Sequence, residues 1–231
     1  MKLGKRLTQI ASMVEDDYQH IWDCCCDHGL LGATLLKRNS APNIHFVDIV
    51  PTLMAQLEAK LQQFFSDSAH QWQTHCMDVS QIPLGQFQGK HLIIIAGVGG
   101  DLMVELVTNI HQRHPKLDID FLLCPVHHQY TLRHQLASFN FGLKHEVLVE
   151  ENNRYYEVIL ASNKLIKGKP ISVVGEAIWQ THCSKQHQTC HSYLTTTLTH
   201  YQRVGSSNTA NVTAIIEHYQ SVNIAPLFVA T

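Results

Sequence analysis

The sequence predicts an α/β domain built around a mainly parallel β-sheet. Short apolar runs that end in Asp, Gly or Pro recur along the first two thirds of the chain, and amphipathic stretches with helical spacing separate them. Residues 92–96 are apolar throughout and rich in isoleucine, which is typical of a central parallel strand buried on both faces. With 231 residues, the chain has room for one large domain and a small appendage.

An acidic, glycine-containing segment follows the first predicted strand. We expect an amphipathic helix that ends near residues 15–17, a strand over residues 20–24, and a helix that continues to about Arg38. The loop between them contains Asp23 and the run Asp27-His28-Gly29. A compact loop lets a ligand approach the backbone, and the N-terminus of the following helix carries a positive partial charge. The loop is therefore a candidate site for an adenosine-containing cofactor.

The next two predicted strands also end at carboxylates. Residues 44–47 lead into Asp48, and residues 73–77 lead into Asp78, with a helix carrying a leucine stripe between them. A carboxylate at the end of the second strand can bind the two hydroxyls of a ribose. Asp48 is therefore the candidate ribose ligand.

The fourth predicted strand runs into the glycine-rich turn at residues 96–100. Its three glycines allow a planar ligand to approach the backbone closely. We expect Asp101 to cap the following helix, Pro125 to stop a fifth strand, and Gly142 to end the helix after it.

Two apolar segments, residues 145–150 and 155–160, flank the polar residues 151–154 and predict an antiparallel hairpin. Strand–helix units closed by such a hairpin are the layout of class I methyltransferases. We therefore predict a Rossmann-like class I methyltransferase domain, dependent on S-adenosyl-L-methionine (SAM), over residues 1–163. A small C-terminal α-helical hairpin is predicted over residues 164–231, with helices near residues 178–204 and 212–222 and a turn over residues 205–208.

The net charge restricts how the chain could bind nucleic acid, and the cysteines indicate the compartment in which it works. The formal net charge of −2 is unusual for a nucleic-acid-binding domain, so any such binding requires a local basic patch. The seven cysteines are an odd number and three are adjacent, which favours reduced thiols and a cytoplasmic location. No apolar run approaches the roughly 20 residues of a membrane helix, so we expect no membrane span.

Two groups of cysteines and histidines raise the alternative of a zinc site. Residues 24–26 belong to an extended segment, in which successive side chains point to opposite faces and converge poorly on one ion. In the tail, Cys183, His187 and Cys190 would share one helical face. Ordinary packed or polar side chains are the favoured interpretation of both groups, and we expect no obligate metal.

Over about residues 3–162, the chain resembles the bacterial tRNA (adenine-22-N1)-methyltransferase family, TrmK. Residues 5–11 match the family's opening Lys-Arg-Leu-x-x-Ile-Ala, and residues 23–32 align without gaps with its Asp-Ile-Gly-Ser-Asp-His-Ala-Tyr-Leu-Pro loop. Residues 96–100 match its Ala-Gly-Met-Gly-Gly, and residues 150–158 match its Glu-Asp-x-x-x-Tyr-Tyr-Glu-Ile hairpin. The combination of the Asp-His loop with the glycine turn makes the resemblance specific.

The resemblance implies methyl transfer from SAM to N1 of an adenine in tRNA. Asp27 and His28 are the implied catalytic residues: the carboxylate would stabilise the cationic product base, and the imidazole would orient it or exchange a proton. His127 and His128 are candidates for lining the target pocket. The implied cofactor contacts are Asp23, Cys25, Asp27, His28, Gly29, Asp48, Ile49, Asp78, Val79, Ala96, Gly97, Val98 and Gly99. The implied RNA phosphate contacts are Lys2, Lys5, Arg6, Lys164, Lys167 and Lys169.

Three positions of the cofactor loop depart from the family pattern. Cys25 stands in place of a glycine, Leu30 in place of a tyrosine, and Gly32 in place of a proline. The chain is thus identified as a divergent member, and two alternatives stay open. One is a SAM-dependent methyltransferase for another RNA site or a small molecule, and the other is a non-catalytic relative that binds SAM or RNA.

Overall fold

A computed structural model describes residues 3–66, 71–205 and 210–225 of the chain. Its centre is a seven-stranded sheet with the order β3-β2-β1-β4-β5-β7-β6. Strands β1 to β5 are parallel, whereas β7 runs antiparallel to both β5 and β6. The strands are β1 (His20–Cys24), β2 (Asn43–Asp48), β3 (Gln71–Cys76), β4 (His91–Ala96), β5 (Ile119–Cys124), β6 (Gly142–Glu151) and β7 (Arg154–Ser162).

Helices cover both faces of the sheet. They are α1 (Lys5–Ser12), α2 (Leu30–Lys37), α3 (Pro51–Phe65), α4 (Gly100–Arg113), α5 (Gln129–Ser138), α6 (Ser184–Gly205) and α7 (Ala210–Gln220). Helices α1, α2 and α3 pack on one face of the sheet, and α4 and α5 on the other. Alternate residues of β4 enter the two cores, with Ile94 on the first face and Ile93 on the second. The predicted central strand, buried on both faces, is confirmed, as is the fold class.

The order of the strands determines where a ligand can bind. β1 lies between β2 and β4, so the chain moves outward in one direction through β2 and β3 and then in the other direction from β4 onward. Loops that leave β1 and β4 diverge to opposite faces at this switch point, which opens a crevice at the carboxyl ends of the strands. The acidic loop after β1 and the glycine turn after β4 both lie there.

The β6–β7 hairpin closes the sheet with a shorter turn than the predicted four residues. Glu151 still pairs with Arg154, and only Asn152 and Asn153 form the turn, with φ values of 52° and 57°. Two consecutive residues with positive φ define the type I′ geometry that suits the twist of paired strands, and asparagine tolerates it well.

Several predicted boundaries are corrected. Helix α1 ends at Ser12 rather than near residues 15–17, and Gly99, not Asp101, occupies the N-cap of α4. Helix α5 ends without Gly142, because Asn140 adopts the left-handed conformation and Gly142 begins β6. In the C-terminal part, a short 3₁₀ turn at Ala177–Trp179 precedes α6, which starts at residue 184 rather than 178. Residues 206–208 of the predicted turn lie outside the described residues.

A third core joins the C-terminal helices to the hairpin face. Trp179, Tyr193 and Tyr219 are buried there against Tyr130 of α5. Beside it, the fully buried Arg133 contacts two carboxylates, Glu146 of β6 and Glu157 of β7. The division into domains at residues 163 and 164 stays a prediction. Within the described part of the chain, no helix combines the length and the apolar character needed to cross a bilayer.

Four histidines, three of them buried and His75 half-buried, form a row on the sheet beside Trp22. His75 Nε2 lies 3.0 Å from His45 Nδ1, and His45 Nε2 lies 3.0 Å from His20 Nδ1. Trp22 donates its indole N–H to His91 Nδ1 at 3.2 Å and stacks on His45. Burial lowers the pKa of all four imidazoles, to about 3 for His45 and about 4 for His91. The row is therefore neutral in the folded protein at neutral pH.

This row predicts a loss of stability in mild acid. The unfolded chain takes up protons near the ordinary histidine pKa of about 6.5, whereas native His45 and His91, with pKa values of about 3 and about 4, stay neutral. The free energy of unfolding is therefore greatest above about pH 6.5 and falls below it, by about 1.4 kcal/mol per pH unit for each such imidazole. Urea unfolding at pH 7.5 and 5.5 measures the loss, which we expect to be smaller in His45→Gln. The exposed His200→Gln is the control, and an equal loss in wild type and His45→Gln would contradict the assignment.

Candidate functional site

The loop between β1 and α2 is organised by a buried carboxylate. Asp23 is the second-to-last residue of β1, and only 4% of its surface is exposed. Its Oδ2 accepts a hydrogen bond from the Gly32 N–H at 2.8 Å. Burial raises the pKa of Asp23 to about 7, and the negative charge of Asp48 adds to the rise. The side chain therefore holds the start of α2 close to the end of β1.

Left-handed backbone conformations shape the same loop. Cys25 has a φ of 55°, Asp27 of 50° and Gly29 of 66°. Only glycine adopts this region without a steric cost, so Cys25 occupies a position at which the TrmK pattern has a glycine for a physical reason. The thiol is partly buried and its pKa is raised to about 11 by burial, so it stays protonated at neutral pH.

Two carboxylates border the loop on its outer side: Asp48, which ends β2, and Asp78, which follows β3. Asp48 accepts one hydrogen bond from the Asp27 N–H and another from the Val50 N–H, both at 3.1 Å. The neighbouring Ile49 exposes 67% of its surface, which makes it an apolar platform beside the carboxylate. Asp78 caps a short 3₁₀ turn by accepting from the Ser80 N–H at 2.8 Å. Val79, the residue after it, is buried.

The turn after β4 forms the opposite wall. Gly97 has a φ of 88°, and Val98 O accepts a hydrogen bond from the Val126 N–H at 3.0 Å. A Cβ on Gly100 would lie 2.4 Å from the His128 carbonyl oxygen, a backbone atom, so only glycine allows the β5 loop to pack this closely. The loops after β4 and β5 therefore form one surface, and Ala96 ends β4 at its base.

The two predicted catalytic side chains lie at the mouth of the crevice. Asp27 Oδ1 and His28 Nε2 are 3.7 Å apart, and both side chains are more than half exposed. A second carboxylate–imidazole pair, which the sequence did not indicate, is tighter: Asp101 Oδ2 lies 2.6 Å from His128 Nδ1. Asp101 lies in the first turn of α4 and His128 is the N-cap residue of α5, so only the packing of the β4 and β5 turns brings them together.

Arg6 lies in the crevice rather than on an outer surface. Its guanidinium carbon is 4.9 Å from the centre of the Tyr156 ring, and Nη1 is 3.9 Å from the position that a Cβ on Gly97 would occupy. The same guanidinium interacts with the Cys124 thiol at the end of β5. Helix α1 thus delivers a cation to the carboxyl ends of β4 and β5.

The other predicted phosphate contacts do not gather at this site. Lys5 is exposed on α1, and Lys2 lies outside the described residues. Lys164 pairs with Asp118, just before β5, and the Lys169 carbonyl accepts from the Leu143 N–H near the start of β6. The segment that also contains Lys167 therefore runs along the opposite end of the sheet from the crevice.

Sheet order, the antiparallel β7 and the loops at the switch point together define a class I methyltransferase fold. A methyltransferase domain family matches residues 3–159, and the chain belongs to that family. No curated protein matches the chain.

Solved structures with the same fold cover nearly the whole chain. TrmK of M. capricolum, in complex with S-adenosyl-homocysteine, is 17% identical with a TM-score of 0.72, covering 95% of this chain and 97% of that one. The B. subtilis m1A22 tRNA methyltransferase TrmK is 20% identical with a TM-score of 0.68, covering 95% and 94%. Magnesium protoporphyrin IX methyltransferase of Synechocystis is 12% identical with a TM-score of 0.52, covering 68% and 76%. At these identities the likeness is one of fold.

The strained loop predicts an unusual effect of glycine. Cys25→Gly should be more stable than Cys25→Ala by about 1 kcal/mol, because alanine keeps a Cβ in the left-handed region. The same two substitutions at Cys76, in β3, should rank in the opposite order, since glycine weakens a strand. Urea unfolding of the four variants measures both differences. A Cys25→Gly variant less stable than Cys25→Ala would contradict the loop conformation.

Proposed function

We propose that the protein is a SAM-dependent methyltransferase that methylates N1 of an adenine in tRNA. The observation that carries the proposal is the crevice at the switch point between β1 and β4, where the Asp23 loop, Asp48 and the glycine turn meet in a chain of the methyltransferase domain family. Its resemblance to TrmK in sequence, and its likeness in fold to structures of that family, support tRNA as the substrate.

The residues of the crevice fit the proposed cofactor. Each carboxylate oxygen of Asp48 accepts one hydrogen bond from the backbone of the loop. The remaining lone pairs can accept hydrogen bonds from the two ribose hydroxyls. Ile49 presents an exposed apolar face for the adenine ring, with Asp78 and Val79 at its edge. Cys25 has a φ of 55°, in the left-handed region that a glycine at this position would adopt without strain, so its backbone is compatible with the loop of the TrmK pattern.

The remaining contacts concern the amino acid end of the cofactor. Asp23 is buried behind the loop, where its carboxylate accepts a hydrogen bond from the Gly32 N–H at the start of α2. Residues 96–99 end β4 beside the loop, with Gly97 open to a ligand on the side where Arg6 lies. When bound, SAM supplies an electrophilic methyl group on a sulfonium centre.

On the acceptor side, the chain must place adenine N1 in line with that methyl group. N1 carries an in-plane lone pair and can attack directly, so the main task of the protein is alignment. The product base is cationic, and the exposed Asp27 carboxylate would stabilise it while His28, 3.7 Å away, orients that carboxylate. N1 lies on the pairing edge, so the adenine must be unpaired or flipped out of its stack.

The proposal includes a cytoplasmic location. All seven cysteines are free thiols, which is the state expected in a reducing compartment.

Cofactor binding is tested by isothermal titration with SAM and S-adenosylhomocysteine. The wild type should bind both, and Asp48→Ala should bind at least about tenfold more weakly, because hydrogen bonds to a charged acceptor contribute about 1.5–3 kcal/mol each. Glu58→Ala removes a carboxylate from the exposed side of α3 and should bind like the wild type. A folded wild type that binds neither ligand would overturn the cofactor assignment.

Methyl transfer is tested with labelled SAM and bulk tRNA, followed by digestion and identification of the modified nucleoside. We expect N1-methyladenosine, and a rate about tenfold lower in Asp27→Asn at saturating SAM, because the neutral amide stabilises the cationic base less well. Glu58→Ala again serves as the control. Transfer to another acceptor would favour the alternative RNA or small-molecule substrate, and SAM binding without transfer would favour a non-catalytic protein.

A further inference from the structure

A second cavity adjoins the crevice on the side of the hairpin. It is a groove of about 530 Å³ between the β5–α5 loop, the tip of the β6–β7 hairpin and α6. This volume lies within the roughly 300–1,000 Å³ of ordinary ligand pockets. Its inner end includes Val126, whose N–H bonds to the turn after β4. The groove therefore begins where the methyl acceptor is expected and leads away from it.

The charge of the groove favours an anion. Arg154 at the hairpin tip lines it, together with His127, His128 and His200, and none of its described lining residues is Asp or Glu. The Arg154 side chain is exposed and makes no ion pair within the described part of the chain, whereas His128 is held by Asp101. A chain with a net charge of −2 thus places a local excess of cationic and imidazole groups beside its crevice.

Aromatic rings line the same groove. Tyr155 and Tyr201 are half-buried, and each is supported from behind by a fully or nearly buried ring, Tyr193 at 5.7 Å and Tyr219 at 6.0 Å between centroids. Rings that are fixed in this way offer flat surfaces at little entropic cost. Cationic groups interleaved with aromatic rings are the arrangement that binds single-stranded nucleic acid, because phosphates and base faces are recognised together.

We propose that this groove binds the nucleotides that flank the target base, with Arg154 on a phosphate and Tyr155 and Tyr201 against base faces. The assignment rests on the proposed function and extends it, since it places the unpaired RNA strand on a specific surface. It also assigns the C-terminal helices a direct role in substrate binding, because α6 contributes His200 and Tyr201. The required substrate is RNA that is single-stranded on the side of the modified adenine that enters the groove.

The test measures binding of a fluorescein-labelled, unmodified tRNA transcript by fluorescence anisotropy at several salt concentrations. Arg154→Gln should bind about fivefold more weakly at 0.1 M salt, and the slope of log affinity against log salt should fall by about 0.7–0.9, the value of one phosphate contact. Lys60→Gln removes the same charge from the exposed side of α3 and should change neither quantity. SAM affinity, measured by titration, should be the same in all three proteins.

The aromatic contribution is tested separately. Tyr201→Leu should weaken tRNA binding about fivefold or more, whereas Tyr201→Phe, which keeps the ring, should bind like the wild type. Because Tyr201 also supports Tyr219, melting curves accompany both variants, and His200→Gln, on an exposed side chain, replaces Tyr201→Leu if that variant does not fold.

The outcomes separate this assignment from the proposed function. A wild type that binds tRNA while Arg154→Gln binds equally well, with an unchanged salt slope, overturns the groove and leaves the tRNA methyltransferase proposal intact. A wild type that binds SAM but no tRNA overturns both. Polyglutamate at a concentration of equal negative charge is added as a competitor. If it displaces tRNA, and if Tyr201→Leu binds tRNA like the wild type, the groove binds acidic chains without recognising bases, and the assignment is overturned.

Discussion

A single buried cation holds together the β6–β7 hairpin, α5 and the segment that follows β7. Arg133 of α5 has no exposed surface, and its guanidinium meets Glu157 at 2.5 Å and Glu146 at 2.7 Å. The third nitrogen of the guanidinium, Nη1, donates to the carbonyl of Ser172 at 3.1 Å. Ser172 belongs to the linker between β7 and α6, residues 163–183. Removing one partner from such a network leaves a buried charge uncompensated and costs about 3–5 kcal/mol. The hairpin, α5 and the linker therefore cannot move independently.

The same network reaches the C-terminal helices. Glu157 accepts a hydrogen bond from the Tyr193 hydroxyl of α6 at 2.6 Å, and Glu146 accepts from the N–H groups of Glu176 and Ala177 at 2.7 Å each. Two carboxylates around one guanidinium leave a net negative charge, and these donors are what stabilise it. Because α6 is anchored at Tyr193, the side chains one and two turns further along are carried to a fixed position over the hairpin tip.

Two adjacent tyrosines of the hairpin contact different parts of the molecule, one on each face of the strand. Successive residues of a strand point to opposite sides, so Tyr155 faces the C-terminal helices while Tyr156 lies under the Arg6 guanidinium on the side of α1. The hairpin itself was predictable from the sequence, as were β1, the acidic loop and the glycine turn, because local periodicity and turn chemistry decide them. The positions of Arg6, of the Asp101–His128 pair and of the groove were not, because each depends on residues far apart in the chain. Asn140, rather than Gly142, ends α5 for a local reason that glycine-based reasoning overlooked: asparagine also tolerates positive φ.

In the loop after β1, Cys25 holds a left-handed backbone conformation that glycine adopts without strain. A left-handed conformation costs a residue with a Cβ about 1–2 kcal/mol, yet Cys25 adopts it. The neighbouring hydrogen bonds account for this: Cys26 N–H donates to Val47 O, Asp27 N–H to Asp48, and Gly29 N–H to Cys26 O. Each links the loop to β2 or to itself, and together they hold Cys25 and Asp27, the two residues with a Cβ and a left-handed φ, in this conformation. Compared with the glycine of the TrmK pattern that the sequence resembles, Cys25 therefore offers a ligand a larger side chain from a backbone in the left-handed conformation.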